Sequence, residues 1–380
     1  MIPLSLYVHF PWCVSHCPYC DFNAHAASTF DESRYIDCLV QEFRRAAGEA
    51  QGRTIESVFF GGGTPSRFSP TAIGRVLNVI RTEFDCSSSL EVTLEANPQS
   101  ADRENFTGYR EAGVNRLSIG VQSFDDHCLR RIGRAHGRED ACAAIDFARQ
   151  AGFSRFNLDL MYGLPNQQID QARADLEKAL EFEPEHLSWY QLTLEPGTPF
   201  AAKPPPLPDG DHLWEMYVEG AGILERAGYA QYEVSAWCRD GAVCRHNVNY
   251  WEYGDYLGVG AGAHGKLTDA AGEVFRTVQA YSPDDWMGAV EREGPEIERR
   301  HRGADNRIFE FMLGALRLKA GAAWVLFEAR TGQSRKVLDG MLEKARALGL
   351  VTESSQGLRA SAQGWRYLDD LCELFLPIGA

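Results

Sequence analysis

From Leu4 onward the first half of the chain alternates short apolar runs with longer amphipathic ones. Strand-like runs fall at Leu4–His9, Ser57–Phe60, Leu90–Glu95, Arg116–Gln122, Arg155–Met161 and Leu187–Leu194. They are rich in β-branched, aromatic and leucine side chains and are bounded by Gly, Pro or Asn. Helix-like stretches lie between them at Asp31–Glu49, Pro70–Glu83, Asp102–Ala112, Arg138–Ala151 and Gln168–Glu181. In the first of these, Tyr35, Ile36, Leu39, Val40 and Phe43 recur at the spacing of one helical face behind Asp31. Six βα units in series predict a parallel sheet with helices outside. Six is fewer than the eight that close a barrel, so the predicted fold is α/β, a partial (β/α)6 TIM-like barrel.

The pattern then changes twice. The proline-rich run from Lys203 to Gly210 breaks strands and stiffens the chain, which makes it a natural boundary. Beyond it the sequence predicts a helix over Asp211–Ala227, a strand near Gln231–Trp237 and a glycine-rich segment, Gly258–Gly265. From about Ala304 helices follow one another across short turns. Two strand-like runs, Leu350–Glu353 and Leu358–Ala360, face each other there across Ser-Ser-Gln-Gly, an order that predicts a winged-helix-like unit. The expected organisation is a barrel over 1–202, an α+β extension over 203–300 and a helical C-terminal domain over 301–380.

Composition narrows the function classes. The 380 residues carry 38 Lys+Arg against 53 Asp+Glu, a formal charge of −15 that disfavours non-specific binding to nucleic acid or anionic membrane. The C-terminal domain is nearly balanced and has no basic stripe, so a nucleic-acid-reading winged helix is the weakest reading. No apolar run is long enough to span a bilayer. The start lacks a basic region and a small-residue cleavage site, which predicts a cytoplasmic protein. Peripheral membrane contact and a homodimer stay open. Of the ten cysteines, Cys13, Cys17 and Cys20 crowd one short stretch and the others are scattered. In the cytosol such a cluster reads as a metal or redox site.

Cys13-x3-Cys17-x2-Cys20 follows directly on the first strand, so one loop can present three thiolates. A structural zinc site wants a fourth ligand, which His9, His16, His25 or a distant residue would have to supply. Three cysteines on an iron–sulfur cubane leave one iron open to an exogenous ligand. Iron–sulfur, zinc and unligated thiols all stand on spacing alone. The cluster, together with Tyr7-Val-His-Phe-Pro-Trp-Cys13, Phe59-Phe-Gly-Gly-Gly-Thr-Pro65, Glu95-Ala-Asn-Pro98, Gly120-Val-Gln-Ser-Phe124, Arg131–His136 and Asn157–Pro165, resembles radical S-adenosylmethionine proteins. The branch it resembles contains the oxygen-independent coproporphyrinogen III oxidases and the HemW-type haem chaperones.

That resemblance implies a [4Fe–4S] cluster on Cys13, Cys17 and Cys20 whose open iron chelates S-adenosylmethionine. It implies that Gly62, Gly63 and Thr64 contact the methionyl end of that cofactor. It assigns Glu95, Gln122, Arg134 and Asp159 to the nucleoside and carboxylate, with Tyr7 and Tyr19 lining the site. Each has a bland alternative: a glycine turn, a helix-capping carboxylate or a core aromatic.

Two departures from the oxidases bear on function. Their fourth cysteine is replaced by Phe22, and only six residues precede Tyr7 where they carry an extension. Arg245-His246-Asn-Val-Asn-Tyr250-Trp251 matches instead the His-Asn-x-x-Tyr-Trp signature of the chaperones. Neutral imidazole is a common haem-iron ligand, so His246 is the expected axial ligand, flanked by two aromatics able to stack on the macrocycle. The resemblance thus implies a chaperone that binds haem and passes it to acceptor proteins, respiratory or haem-storing, with no catalytic residue assigned. The rival reading is a porphyrin-decarboxylating oxidase.

Overall fold

A computed structural model describes residues 2–292, 294 and 298–377. The six predicted strands form as β1 (Leu4–Phe10), β2 (Ile55–Gly62), β3 (Cys86–Ala96), β4 (Arg116–Gln122), β5 (Phe156–Tyr162) and β6 (His186–Gln191). They pair in sequence order and in parallel. Helices Glu32–Ala46, Pro70–Glu83, Arg103–Ala112, Arg138–Gln150 and Ile169–Glu181 cross between them. Asp31, Ser69 and Asp102 cap the first three by accepting backbone N–H bonds that the first turn would otherwise leave unpaired.

The segment after the proline run does not stand apart from this sheet. Gln231–Trp237 is a hairpin rather than one strand: β7 (Ala230–Glu233) and β8 (Ala236–Cys238), with β8 antiparallel to β6. The glycine-rich segment holds β9 (Asp255–Val259), a turn and β10 (His264–Thr268). β9 is a seventh parallel strand, lying beside β1. Then β10, β11 (Val274–Val278) and β12 (Glu298–Arg302) extend that edge antiparallel. The result is one open sheet of order β12-β11-β10-β9-β1-β2-β3-β4-β5-β6-β8-β7. The barrel is incomplete, as expected, and seven parallel strands line it rather than six.

The C-terminal region packs helices Ala304–Ala315, Trp324–Thr331 and Asp339–Ala347 on Phe311, Met312, Phe327, Leu342 and Phe375. The two-strand wing forms, and a third short strand, Ala322–Ala323, pairs with it. Tyr253 and Val274 of the preceding segment insert into the same core. Glu310 fastens the join, bonding the Tyr253 hydroxyl at 2.8 Å and pairing with Arg276 and Arg302 at 3.0 Å each. No helix among the described residues is long and apolar enough to cross a membrane.

Candidate cofactor site and cavity

The C-terminal ends of β1 to β6 open into a cavity of 530 Å³. Its rim is the cysteine loop. Trp12–Cys13 and His25–Ala26 pair as a two-residue ribbon, and Asn23 pins the loop to the β9–β10 side through Ala261 O (3.0 Å) and Tyr281 O (2.9 Å). All three thiols are free and line the cavity. Cys13 Sγ accepts from Thr64 Oγ1 at 3.3 Å, and Cys17 Sγ lies 3.9 Å from Arg134 Nη1. Burial pushes the Cys13 thiol up and the Cys20 thiol up to about 11. Among the described residues no three His, Cys, Asp or Glu side chains come close enough to share one ion.

The glycines after β2 leave room that a side chain would fill. Gly62 has φ +112, and a Cβ there would meet the His9 ring at 2.6 Å. A Cβ on Gly63 would meet the Phe10 carbonyl at 2.9 Å, so the backbone runs close under the cysteine loop. Across the floor, Glu95 Oε2 accepts from Gly62 N at 3.2 Å, and Asp159 accepts from Ser118 (3.0 Å) and Asn157 (2.7 Å). Gln122 sits in the left-handed region at φ +65 where β4 ends, and its Oε1 accepts from Tyr190 at 2.9 Å. A glutamine held there costs conformational energy that the surrounding contacts must offset.

Residues 7–179 match the Radical SAM superfamily, and residues 304–367 match the HemN C-terminal domain. Over 376 residues the chain is 44% identical to "Heme chaperone HemW" of Escherichia coli K12, covering 98% of both chains. The chain belongs to the HemW family of radical SAM proteins. Within the wider superfamily it is 40% identical to the mouse "Radical S-adenosyl methionine domain-containing protein 1, mitochondrial", covering 98% of this chain and 87% of that one. The solved coproporphyrinogen III oxidase HemN of Escherichia coli, a radical SAM enzyme, superposes with a TM-score of 0.83 at 25% identity. That match covers 98% of this chain and 90% of HemN.

In this HemW-family chain the structure gathers Tyr19, Gly62, Gly63, Thr64, Glu95, Gln122, Arg134 and Asp159 around the same cavity as the three cysteines. Tyr7 stands just behind that wall: its hydroxyl bonds His9 Nδ1 at 2.9 Å, and its ring stacks on Phe59. His246 is not brought into the cavity. It lies on the short helix Arg245–Trp251, whose Asn247 and Trp251 face the cavity while His246 packs on Phe59, 5.0 Å between ring centres. Its Nδ1 is 3.3 Å from Ser57 Oγ. Burial, with Arg116 nearby, lowers its pKa to about 3. Tyr250 points outward, exposed, beside Tyr256.

Several residues at the cavity and behind it lie outside the expected set. Glu91, fully buried on β3, accepts from the backbone N–H of Arg245 (2.8 Å) and His246 (3.4 Å) and so fixes the start of that helix. Ser188 and Tyr190 on β6, Glu233 on the hairpin and Arg317 of the C-terminal region complete the walls. Alternation along β6 could have marked Ser188 and Tyr190. Nothing local marks Glu233 or Arg317.

Glu95 supplies a pH test. Burial raises its pKa to about 8, and neighbouring Asp159 adds to the rise. The unfolded chain ionises near the ordinary carboxylate value, so the native state holds the extra proton between there and about 8. Stability therefore falls as pH rises through that window. Glu95→Gln removes the penalty. With no cofactor added, the variant is expected to unfold with the wild type at about pH 4.5 and to be more stable by a few kcal/mol at about pH 8.5. Thermal unfolding at the two pH values checks this, and an equal gain at both would contradict it.

Proposed function

We propose that this protein binds haem and hands it to acceptor proteins, using a [4Fe–4S] cluster and S-adenosylmethionine as resident cofactors. The observation that carries the cofactor half is the donor set: three free thiols, a hydroxyl and a guanidinium on two of them, and a glycine floor, all on one cavity. Cys13, Cys17 and Cys20 would hold the cluster. Thiolates on iron are stabilised by nearby donors, and Thr64 and Arg134 are those donors. Arg134 Nε is buried with no protein partner, which leaves the guanidinium able to take a carboxylate such as the methionyl one. Gly62, Gly63 and Thr64 would admit the methionyl end, while Glu95, Gln122 and Asp159 would take polar groups of the nucleoside. Tyr7 and Tyr19 would close the sides. When bound, the pair supplies electron transfer to a sulfonium.

The haem half rests on the relatives' chaperone names and on the helix Arg245–Trp251, one face of which reaches the cavity. His246 is the proposed axial ligand. Neighbours on a helix point about 100° apart, so iron reaches this imidazole only if its seat against Phe59 and Ser57 opens toward the cavity. Ring burial keeps the imidazole neutral, which is the form that ligates. Phe22, exposed at the rim where the oxidases place a cysteine, favours the chaperone over decarboxylation.

Transfer is tested directly. Protein loaded with haem is mixed with an apo-acceptor of distinct Soret maximum, in a cytosol-like buffer and with membranes as a second arm. Haem appearing on the acceptor faster than from free haem supports the reading. Substrate-stimulated release of 5′-deoxyadenosine with porphyrinogen, and no haem transfer, would replace it with the oxidase.

A further inference from the structure

The cavity walls carry five carboxylates, Asp21, Glu95, Asp159, Glu195 and Glu233, against two guanidiniums, Arg134 and Arg317. Arg134 stands against the cysteine loop, beside Cys17. Arg317 belongs to the opposite construction, the wall made by the β7–β8 hairpin and the C-terminal region. It arrives there by backbone pairing between domains: Val234 N donates to Arg317 O at 3.1 Å, Lys319 N donates to Tyr232 O at 2.9 Å, and Glu233 bridges Leu318.

Its guanidinium lies 4.3 Å over the Trp251 ring and bonds Glu233 Oε2 through Nη2 at 3.2 Å. That is the one direct side-chain bond it makes among the described residues. Nε is buried with no acceptor, and so is the neighbouring indole Nε1 of Trp251. Two aromatic-bound donors are therefore left over at one place, on the helix face that the haem reading uses. Glu233 is itself buried, and burial raises its carboxyl above the ordinary range. An arriving carboxylate can take Arg317 from it at modest cost, because Glu233 can accept a proton in exchange.

We infer that Arg317 is the anchor for the acidic side group of the ligand held over Trp251, which makes the C-terminal region part of the ligand site. The inference rests on the haem reading, since it takes that ligand to be a planar macrocycle bearing carboxylates. Arg317 thereby selects free acids over esters. The competing role is structural: Arg317–Glu233 as a latch that only docks the C-terminal region. The two roles differ in sign at Glu233. A latch breaks alike from either side, whereas removing the Glu233 charge frees an anchoring arginine.

The test titrates ferric haem and its dimethyl ester into the full chain, read by the Soret band, for wild type, Arg317→Ala and Glu233→Gln. The wild type is expected to prefer the free acid by at least about tenfold, the scale of a charge-assisted pair. In Arg317→Ala the preference falls to near unity while ester affinity is unchanged. In Glu233→Gln the acid binds as tightly as in wild type or more tightly, with the preference kept. Equal loss of both ligands in both variants, with circular dichroism unchanged, assigns the pair to docking and overturns the anchor. A wild type that binds both ligands equally also overturns it. Binding of neither ligand by the wild type overturns the haem reading itself, and the anchor with it.

Discussion

Cys17→Ser is expected to lose the iron–sulfur cluster completely: iron and sulfide at background after anaerobic reconstitution, and no thiolate-to-iron absorption. Cys13→Ser and Cys20→Ser are expected to do the same. The reason is the absence of a substitute. Seven other cysteines exist, but Cys38, Cys128, Cys238, Cys244 and Cys372 are buried elsewhere, and neither Cys86 nor Cys142 lines the cavity. Two thiolates and a serine hydroxyl, a poor ligand for iron at neutral pH, cannot hold a cubane that already lacks a fourth protein thiol. Cys86→Ser is the control and should reconstitute like the wild type. The loop hangs on Asn23 and Arg67 rather than on the thiols, so each variant should keep its secondary structure. A Cys17→Ser protein that retains a full complement of iron would refute the assignment.

The second large effect concerns His246. Wild-type protein is expected to give a stoichiometric Soret shift with haem, and His246→Ala to lose it while keeping its cluster. Proton competition gives a further signature. Protons compete for the ligand in the haem-free protein: a free exposed histidine takes one up near about 6.5, whereas His246 stays neutral down to about 3 in its buried seat. The shift should therefore persist between about pH 8 and 5. Because His246 is packed on Phe59 and Ser57, uptake should also be slow and limited by opening of that seat, with a rate that levels off as haem is raised. A Soret shift that survives in His246→Ala would move the ligand elsewhere. A haem affinity that weakens steadily as pH falls below about 6.5 would point to an exposed histidine.

Much of the fold and of the candidate cofactor site is legible in the amino-acid pattern. Short apolar runs and period-3.6 patterns place the strands β1 to β6 and the five crossing helices to within a few residues. Strands in parallel series put their C-terminal ends on one face, so the cysteine loop, Gly62–Thr64, Glu95, Gln122 and Asp159 have to meet there. All but Asp159, which sits mid-strand in β5, lie at or just past a strand end, where local order dictates position. The glycine-rich segment hides its strands for a local reason. Gly258 and Gly265 face a closely approaching backbone, and lack of side chain there serves strand contact rather than a loop. The hairpin at Val234–Ser235 is hidden because its turn carries no Gly, Asn or Pro.

The sequence by itself determined the superfamily, the incomplete barrel and the cysteine loop at its mouth, because these follow from short-range periodicity and contiguous motifs. Only the tertiary structure decided which way the Arg245–Trp251 helix faces. Its seven residues present both a cavity side and a core side, and nothing in their spacing ranks one above the other. Glu91, more than 150 positions away in sequence, makes that choice. Only the tertiary structure, likewise, carried Arg317 to the cavity, since the pairing of 317–319 with 232–234 is a contact between segments far apart in the chain. Such pairings are set by which surfaces the whole molecule can bury together, and no local pattern records them.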